Sequence, residues 1–500
     1  MFGKSMLAYI PVNLANLLVS FGNIIILTRL LDGDEYGRYA TAIISIQFFH
    51  MLLLTWLEAS MARYHARAEE NGTIPDFIKT IYGYGALTAI GSFILVIIGY
   101  LILPIDPRLK TVLAFALGST CFILFCNLGH EAHKAAHRIG RFSRNYSLQI
   151  MIAFSVGIAL IIKTDLRELG PIFGIFAGVA FIWIVDLPYM LGKAKGGKAN
   201  KQDIKKYFAY GMPISVSLVL SYALSSADVY IILGLLGDAA AGSYSAGYNL
   251  SNRTLDILFV WIGMAITPVA VTAIEKIGLE ESQRIMRDYC VALLFITLPA
   301  ATGIALISEP AGFILGESVR KEAVMIMPMI AFAAVINGMI SYYAQRAFML
   351  SGKPMTFIWA LLPPVILNIG LNFLLIPKFG LMGAVYATVI AYVLGLILAI
   401  IIGRRLYALP LPIKETLMIL LACGVMTIGV RLTPIPDSWP DWIEMLTMVG
   451  IGGIIYIAMV WAFNIAKCRT IVKTFIQNRR NNDGSDDGHD DSDPPTAEAI

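Results

Sequence analysis

The segment Leu30-Leu31-Asp32-Gly33-Asp34-Glu35-Tyr36-Gly37-Arg38-Tyr39 joins the first two apolar stretches of the chain. Part of this segment recurs in the second half of the sequence without a gap. The matching pairs are Leu30 and Leu235, Leu31 and Leu236, Gly37 and Gly242, Tyr39 and Tyr244, with Ser20 and Ser225 at the same spacing. A recurrence over a long, fixed spacing predicts two structural units that begin with the same hairpin.

Apolar stretches dominate the whole sequence. Hydrophobic residues make up 57% of the 500 residues and charged residues only 14%. About fourteen stretches reach the roughly twenty mostly apolar residues that a helix needs to cross a bilayer. The sequence therefore predicts an all-α polytopic membrane protein with about fourteen transmembrane helices, and this composition excludes a soluble globular chain.

The repeat divides the predicted helices into two lobes. Six helices precede a segment rich in Lys and Gly, six follow it, and two more complete the apolar part of the chain. Because six is even, both lobes enter the membrane from the same side, which predicts a parallel repeat about an axis along the membrane normal. The predicted units are an N-lobe at 1–192, a flexible basic linker at 193–206, a C-lobe at 207–403, two further helices at 404–477 and a disordered acidic tail at 478–500.

The basic residues predict the orientation of the chain. Lys and Arg are abundant in every second loop, beginning with the segment before the first helix, and scarce in the loops between. Because basic loops remain on the cytoplasmic side of a membrane, we expect both termini and the basic linker to be cytoplasmic. The sequence carries no nucleic-acid-binding module, no phosphate-binding Gly loop and no paired cysteine spacing.

Few polar residues of the second lobe fall at bilayer depth, where an ionisable side chain needs a cavity or a partner. Asp228 on the seventh helix and Arg253 on the eighth lie at similar depths, which predicts an ion pair between the two helices. Asp256 shares the helix face of Arg253, and Asn249 and Asn252 add hydrogen-bonding groups nearby. Such a cluster either binds a substrate or only locks two helices together.

The first lobe has a sparser counterpart to this cluster. Arg29 lies toward the outer end of the first helix, and His50 lies near mid-membrane on the second. Uncharged polar residues of the same two helices are Asn13, Asn16, Asn23 and Gln47. Because the repeat pairs these helices with the seventh and eighth, we expect the four helices to surround a central polar cavity.

Two turn motifs resemble those of a known transporter superfamily. The hairpin segment 30–39 resembles the first outer hairpin of oligosaccharide flippases. The segment Ile376-Pro377-Lys378-Phe379-Gly380-Leu381-Met382-Gly383-Ala384 resembles a turn of the multidrug/oligosaccharidyl-lipid/polysaccharide exporter superfamily, in its polysaccharide-transport (O-antigen and exopolysaccharide flippase) branch. The resemblance implies two six-helix lobes with two trailing helices and export of a lipid-linked sugar by alternating access. The resemblance does not identify any substrate-binding residue in this sequence, because the motifs consist mainly of turn residues.

These observations predict a flippase for polyprenyl-pyrophosphate-linked oligosaccharide in the bacterial cell inner membrane, serving surface-polysaccharide or exopolysaccharide biosynthesis. We expect Arg253, helped by Arg29 and a protonated His50, to attract the pyrophosphate, while amide side chains meet sugar hydroxyls. The candidate substrate-binding residues are Arg29, His50, Asp228, Asn249, Asn252, Arg253 and Asp256. The expected partners are membrane lipid, a coupling ion (H+ or Na+) and a polysaccharide polymerase or other assembly proteins, with no cofactor and no metal.

Three other functions remain open. Asp32 and Asp34 form a D-x-D motif that resembles those of membrane-embedded glycosyltransferases, although a short turn rich in Gly and Asp explains it equally. A polysaccharide polymerase would have a similar number of helices, but it would be expected to carry a large outer loop, and none of the predicted outer loops is long. A multidrug exporter of the same superfamily would be expected to have an acidic or aromatic cavity, which Arg253 argues against.

Overall fold

The computed structural model describes residues 2–436, 438–465, 468 and 469. Every regular element within these residues is a helix, so the predicted all-α class is confirmed. The long helices are α1 (Phe2–Gly22), α2 (Gly33–Leu53), α3 (Thr55–Glu70), α4 (Ile74–Ile102), α5 (Pro107–Ala135), α6 (Ile139–Lys163), α7 (Leu169–Lys193), α8 (Lys201–Leu236), α9 (Asp238–Lys276), α10 (Leu279–Leu306), α11 (Glu317–Gly338), α12 (Phe357–Phe379), α13 (Leu381–Arg404), α14 (Ile413–Leu432) and α15 (Asp441–Phe463). The predicted acidic tail at 478–500 lies outside the described residues.

Twelve helices of the described chain are long and apolar enough to cross a membrane. The number rises to thirteen if α2 and α3, which meet at a 55° bend, form one span. Helix α9 has 39 residues but is not one of these twelve helices. Several of its side chains are not among those that the structure describes. The protein is therefore a multi-pass helical membrane protein, while the predicted number of fourteen spans is not confirmed.

Successive helices run up and down the bundle, so their connections form two ends. The hairpin end contains Asp32 and Gly237, and the linker end contains the connection between α7 and α8. Helices α1 to α7 precede this connection and α8 to α13 follow it, while α14 and α15 pack on each other and on α10. Between the two halves, α2 packs against α9, and α3 packs against α8. The repeated hairpins therefore meet each other at the centre of the molecule.

The turn before α2 is fixed by its own side chains. Asp32 Oδ1 accepts a hydrogen bond from the backbone N–H of Glu35 (2.8 Å), and Glu35 Oε2 accepts one from the backbone N–H of Asp32 (3.0 Å). This capping box satisfies two N–H groups that the helix itself leaves unpaired. The Asp-rich motif of the hairpin thus begins a helix.

The basic linker is shorter than predicted, and it is bound to the N-terminal half of the chain rather than flexible. Lys193 still belongs to α7 and Lys201 already belongs to α8, so only residues 194–200 connect the two helices. The backbone N–H of Lys198 donates a hydrogen bond to Asp76 Oδ1 (2.6 Å) in the first turn of α4. The sequence suggested flexibility because Gly and Lys are common in this segment, but its backbone finds a specific partner.

Replacing Gly197 with alanine should destabilise this contact, because a Cβ atom there would overlap the carbonyl oxygen of Pro75. We expect Gly197→Ala to lower the free energy of unfolding by about 1–3 kcal/mol, the usual penalty of overpacking. The matched control is Gly192→Ala, where a Cβ atom meets nothing within 4 Å. Thermal unfolding of the purified variants measures the difference. Equal melting temperatures would show that the linker is not held against α4 in solution.

Candidate functional site

A polar chamber of about 320 Å³ lies between the two halves of the bundle. Its walls come from α2, α8, α9, α11 and the end of α1, where the helix continues through a π-helical turn at Asn23–Leu27. Helical irregularities of this kind are frequent at functional sites. The repeat relates α1 and α2 to α8 and α9, and all four of these helices therefore contribute to the chamber.

The chamber is lined by hydroxyl and amide groups, by one positive charge and by five apolar residues. The tyrosines are Tyr36, Tyr39, Tyr222, Tyr244 and Tyr248. The serines and asparagines are Ser20, Asn23, Ser225, Ser226, Ser245, Asn249, Asn252 and Asn337. Among the described lining residues, Arg253 alone is charged. The surface is thus suited to a neutral polar ligand that carries a negative group at one position.

Arg253 reaches the chamber from α9 together with Asn252, which directly precedes it, and Asn249, one turn earlier. Its side chain is exposed, and within the described residues it makes no ion pair and no hydrogen bond. The predicted ion pair between Asp228 and Arg253 is therefore wrong. The two residues lie on neighbouring helices, but their side chains leave those helices in different directions.

Asp228 is buried on the side of α8 that faces α13. Its carboxylate accepts hydrogen bonds from Tyr244 Oη, from Thr388 Oγ1 (3.1 Å) and from the backbone N–H of Val229 (3.0 Å). These donors satisfy the carboxylate in place of the expected arginine. Asp228 therefore links α8, α9 and α13, and it does not line the chamber.

Asp256 lies beside a second, smaller cavity. Its carboxylate accepts a hydrogen bond from Tyr342 Oη (2.8 Å), and the adjoining cavity has a volume of about 80 Å³. Asn252 and Asn337 line both cavities. Asp256 is therefore a neighbour of the chamber rather than part of its wall.

Two predicted residues of the first lobe also lie outside the chamber lining. His50 is buried, and its Nε2 lies 2.7 Å from Glu58 Oε1 on α3. Arg29 is at the hairpin end, where its Nη2 donates a hydrogen bond to the carbonyl oxygen of Phe313 (2.7 Å). The expectation that both residues would help Arg253 in the chamber is not supported by these positions.

The chamber ends where α2 and α9 cross at the hairpin end. A Cβ atom on Gly37 would overlap the carbonyl oxygen of Asp238, and one on Gly242 would lie 2.7 Å from the carbonyl oxygen of Gly33. The two helices therefore touch through their backbones, which only glycine allows. Gly37 and Gly242 are repeat partners in the sequence, so equivalent positions of the two hairpins form the two sides of the crossing.

Buried ion pairs surround this crossing. Arg38 donates a hydrogen bond from Nε to Glu168 Oε1 (2.8 Å) and another from Nη1 to Asp238 Oδ2 (3.0 Å). Arg167, in the connection between α6 and α7, binds Glu35 through two hydrogen bonds of 2.6 Å, and this hydrogen bonding raises the pKa of Arg167. Of these contacts only Arg38–Asp238 joins the two halves of the chain, and breaking it would leave the buried charge of Arg38 with less compensation, so this pair favours the closed hairpin end.

The tyrosines and serines of the chamber were missed in the sequence. Ionisable and amide side chains stand out in apolar helices, whereas tyrosine in such a helix usually serves packing. The repeat did contain the signal. Tyr39 and Tyr244 are repeat partners, as are Ser20 and Ser225, and all four residues line the chamber.

A two-part helical membrane bundle with a polar chamber at its centre is the architecture of secondary transporters. The family model described as "Polysaccharide biosynthesis protein" matches residues 2–273, which is more than half of the chain. The chain belongs to this family, and the predicted place in the polysaccharide-transport branch of the exporter superfamily is confirmed.

Known proteins similar to the chain include flippases and drug transporters. The "Probable low-salt glycan biosynthesis flippase Agl15" of Haloferax volcanii is 22% identical over 241 residues, which cover 48% of this chain and only 50% of that relative. The solved structure of the lipid II flippase MurJ in an inward closed conformation matches with a TM-score of 0.74 at 14% identity, covering 93% of this chain and 100% of that one. An inward-facing MATE family multidrug resistance transporter matches with a TM-score of 0.64 at 13% identity, covering 77% and 95%. At these identities the structural likeness establishes the fold.

Replacing Gly37 with alanine should open the hairpin end, because the added methyl group overlaps the backbone of α9. Ala40, which is buried and lines the chamber, serves as the reporter when it is replaced with cysteine. We expect Gly37→Ala to accelerate labelling of Ala40→Cys by a maleimide applied from the hairpin end by about tenfold or more, since about 1–3 kcal/mol of overpacking disfavours the closed state.

The matched control is Gly83→Ala on α4, where a Cβ atom meets nothing within 4 Å. Cys468 is replaced by serine in every variant, because the other four cysteines are buried. Equal labelling rates for the two alanine variants would contradict the assignment of Gly37 to the closure.

Proposed function

We propose that the protein is a flippase that moves a polyprenyl-pyrophosphate-linked oligosaccharide across the bacterial inner membrane by alternating access. The observation that supports this most is Arg253, a cation without an anionic partner among the described residues, in a hydroxyl-rich chamber. An ionisable side chain inside a membrane bundle is costly unless it serves a cavity or a partner. The phosphate groups of a lipid-linked sugar supply the anion that compensates it.

The chemistry of the chamber wall matches the two parts of such a headgroup. The guanidinium of Arg253 presents N–H donors in a planar fork that fits phosphate oxygens. Asn249 and Asn252 lie on the same helix and provide amide donors and acceptors for sugar hydroxyls. Tyr39 adds a ring face and a hydroxyl, and Tyr244, whose hydroxyl binds Asp228, adds a ring, which suits a ligand with both apolar and polar surfaces.

The lipid tail requires a lateral opening, and the packing of α1 favours one. Helix α1 packs along α6, and the π-helical turn Asn23–Leu27 that follows it contacts α9. Between α1 and the linker-end part of α9, the headgroup would enter the chamber while the polyprenyl tail stays in lipid. This separation matters because phosphate and sugar groups cannot cross hydrocarbon without partners.

Export then requires the hairpin end to open. In this orientation the basic linker end faces the cytoplasm and the hairpin end faces outward, as the distribution of Lys and Arg predicts. Opening separates Gly37 from Gly242 and Arg38 from Asp238, whereas the pairs that hold each lobe together are kept. Energy would come from an ion gradient or from the concentration of the substrate, since the sequence has no ATP-binding motif.

The alternatives fit the chamber less well. A multidrug exporter of cationic compounds would be favoured by acidic groups, and none of the described residues lining the chamber is acidic. The D-x-D motif of a glycosyltransferase would need a free Asp32, but this side chain caps α2. A flippase that acts with polysaccharide polymerase and other assembly proteins is the function that we retain.

Arg253→Gln should reduce transfer of lipid-linked oligosaccharide by about 10- to 100-fold, because a hydrogen bond to a charged group contributes about 1.5–3 kcal/mol. Arg253→Lys keeps the charge without the fork and should retain part of the activity. The assay reconstitutes the protein in liposomes and measures how fast a fluorescent lipid-linked oligosaccharide becomes accessible on the other leaflet.

The matched control is Arg108→Gln, an exposed arginine at the hairpin end outside the chamber, at equal protein abundance. Unchanged transfer by Arg253→Gln would refute the role of this residue. Chemical conversion of the sugar lipid, instead of its transfer, would favour the glycosyltransferase.

A further inference from the structure

A buried acid–base pair spans the bend between α2 and α3. His50 is near the end of α2 and Glu58 is in the first turn of α3, and the side chains meet with Nε2 and Oε1 2.7 Å apart. Leu54, between the two helices, departs from helical geometry with φ −120° and ψ −31°. The pair therefore connects two helix segments inclined at 55° to each other.

The surroundings of the pair favour the exchange of a proton. His50 is 6% exposed, and its Nδ1 is buried without a hydrogen-bond partner among the described residues. Asn127 on α5 lies 3.3 Å from His50 Nε2. The nearest charged groups are Lys134 and Glu131 on α5, which bind each other at 2.5 Å.

The other groups around the pair are neutral or more distant. His130 on α5 is the remaining titratable group that acts on Glu58. From α8, which packs against α3, no described side chain forms an ion pair with either member. An acid–base pair within the bent candidate span formed by α2 and α3, outside the substrate chamber, calls for a separate function.

The two segments joined at the bend are attached differently to the other lobe: α2 contacts both α9 and α8, whereas α3 packs mainly on α8. Helix α2 is bound to α9 through the backbone contact at Gly37. Helix α3 is bound to α8, because Gly211 packs against the backbone of Trp56 and Ser60 Oγ donates a hydrogen bond to the carbonyl oxygen of Tyr207 (2.9 Å). A change in the bend therefore moves the attachment to α9 relative to the attachment to α8.

We infer that His50 and Glu58 form a proton-binding site whose occupancy controls the α2–α3 bend and couples proton movement to the transport cycle. This inference rests on the proposed transport function. It assigns the coupling ion as a proton and places its site in the first lobe, apart from Arg253.

The proton balance of the site follows from the chemistry of the pair. With one proton, the imidazolium of His50 faces the carboxylate of Glu58 and the pair is neutral overall. A second proton, bound by Glu58, removes the carboxylate charge and leaves the buried imidazolium without compensation, which favours separation of the two side chains. Release of that proton restores the ion pair and with it the bend described above. Proton uptake and the angle between α2 and α3 are thus linked.

The test uses the full-length protein in lipid nanodiscs without substrate. Spin labels at Arg108→Cys and Lys378→Cys, both exposed at the hairpin end of different lobes, report the distance between the lobes in a Cys468→Ser background. We expect the distance distribution to change as the pH falls from about 7 to about 3.5, because a carboxylate that faces an imidazolium takes up a proton only in acid. Glu58→Gln, which is nearly isosteric, should abolish this change, and His50→Gln should abolish it or shift its midpoint.

The matched control is His65→Gln, a buried histidine of α3 that forms no ion pair within the described chain and should respond to pH as the unsubstituted protein does. Infrared absorption of protonated carboxyl groups provides the second measurement, and we expect a band that titrates with pH to be lost in Glu58→Gln.

A protein whose lobes do not respond to pH, or a Glu58→Gln variant that keeps both the distance change and the carboxyl band, would overturn the inference. A response to Na+ at constant pH without a response to pH would also overturn it. Because neither measurement uses substrate, failure here leaves the lipid-transfer assay of Arg253 as a separate test of the transport function.

Discussion

The crossing of α2 and α9 at Gly37 and Gly242 is the contact on which the rest of the structure depends. The two backbones approach so closely that a methyl group on either glycine would overlap the opposite helix or press against it. Without a hydrophobic driving force between helices in lipid, such small-residue contacts decide where helices pack. This crossing joins the two halves of the chain, closes the chamber at one end and positions Arg38 between Glu168 and Asp238.

The contrast between two arginines connects this architecture with function. Arg38 is buried with two carboxylates and serves closure, whereas Arg253 faces the chamber with no anionic partner among the described residues. The buried charge of Arg38 is compensated by the protein itself, whereas the exposed guanidinium of Arg253 stays available to a ligand. Arg253 makes the chamber positively charged. The closure at the crossing determines that the chamber must open at the hairpin end.

The sequence predicted the helical class, the paired hairpins and the helices around the chamber, because these follow from apolar length and from a repeat. It placed Asn249, Asn252 and Arg253 at the chamber, but it misplaced Asp228, Asp256, His50 and Arg29. Depth along a helix is readable from residue number, whereas the direction of a side chain needs an amphipathic pattern. Helices embedded in lipid are apolar on most faces, so that pattern is weak. The tertiary partners of the misplaced residues, such as Thr388 for Asp228, come from distant parts of the chain.

The most direct test of the central claim is a reversible cross-link at the crossing. An ideal Cβ atom on Gly33 lies 3.4 Å from the Cβ atom of Ala239, close to the roughly 3.8 Å typical of a disulfide. A protein with Gly33→Cys and Ala239→Cys can therefore be locked at the hairpin end by oxidation and released by reduction. We predict that liposomes containing the oxidised protein do not transfer lipid-linked oligosaccharide and that reduction restores transfer. Undiminished transfer by the fully cross-linked protein would contradict the account.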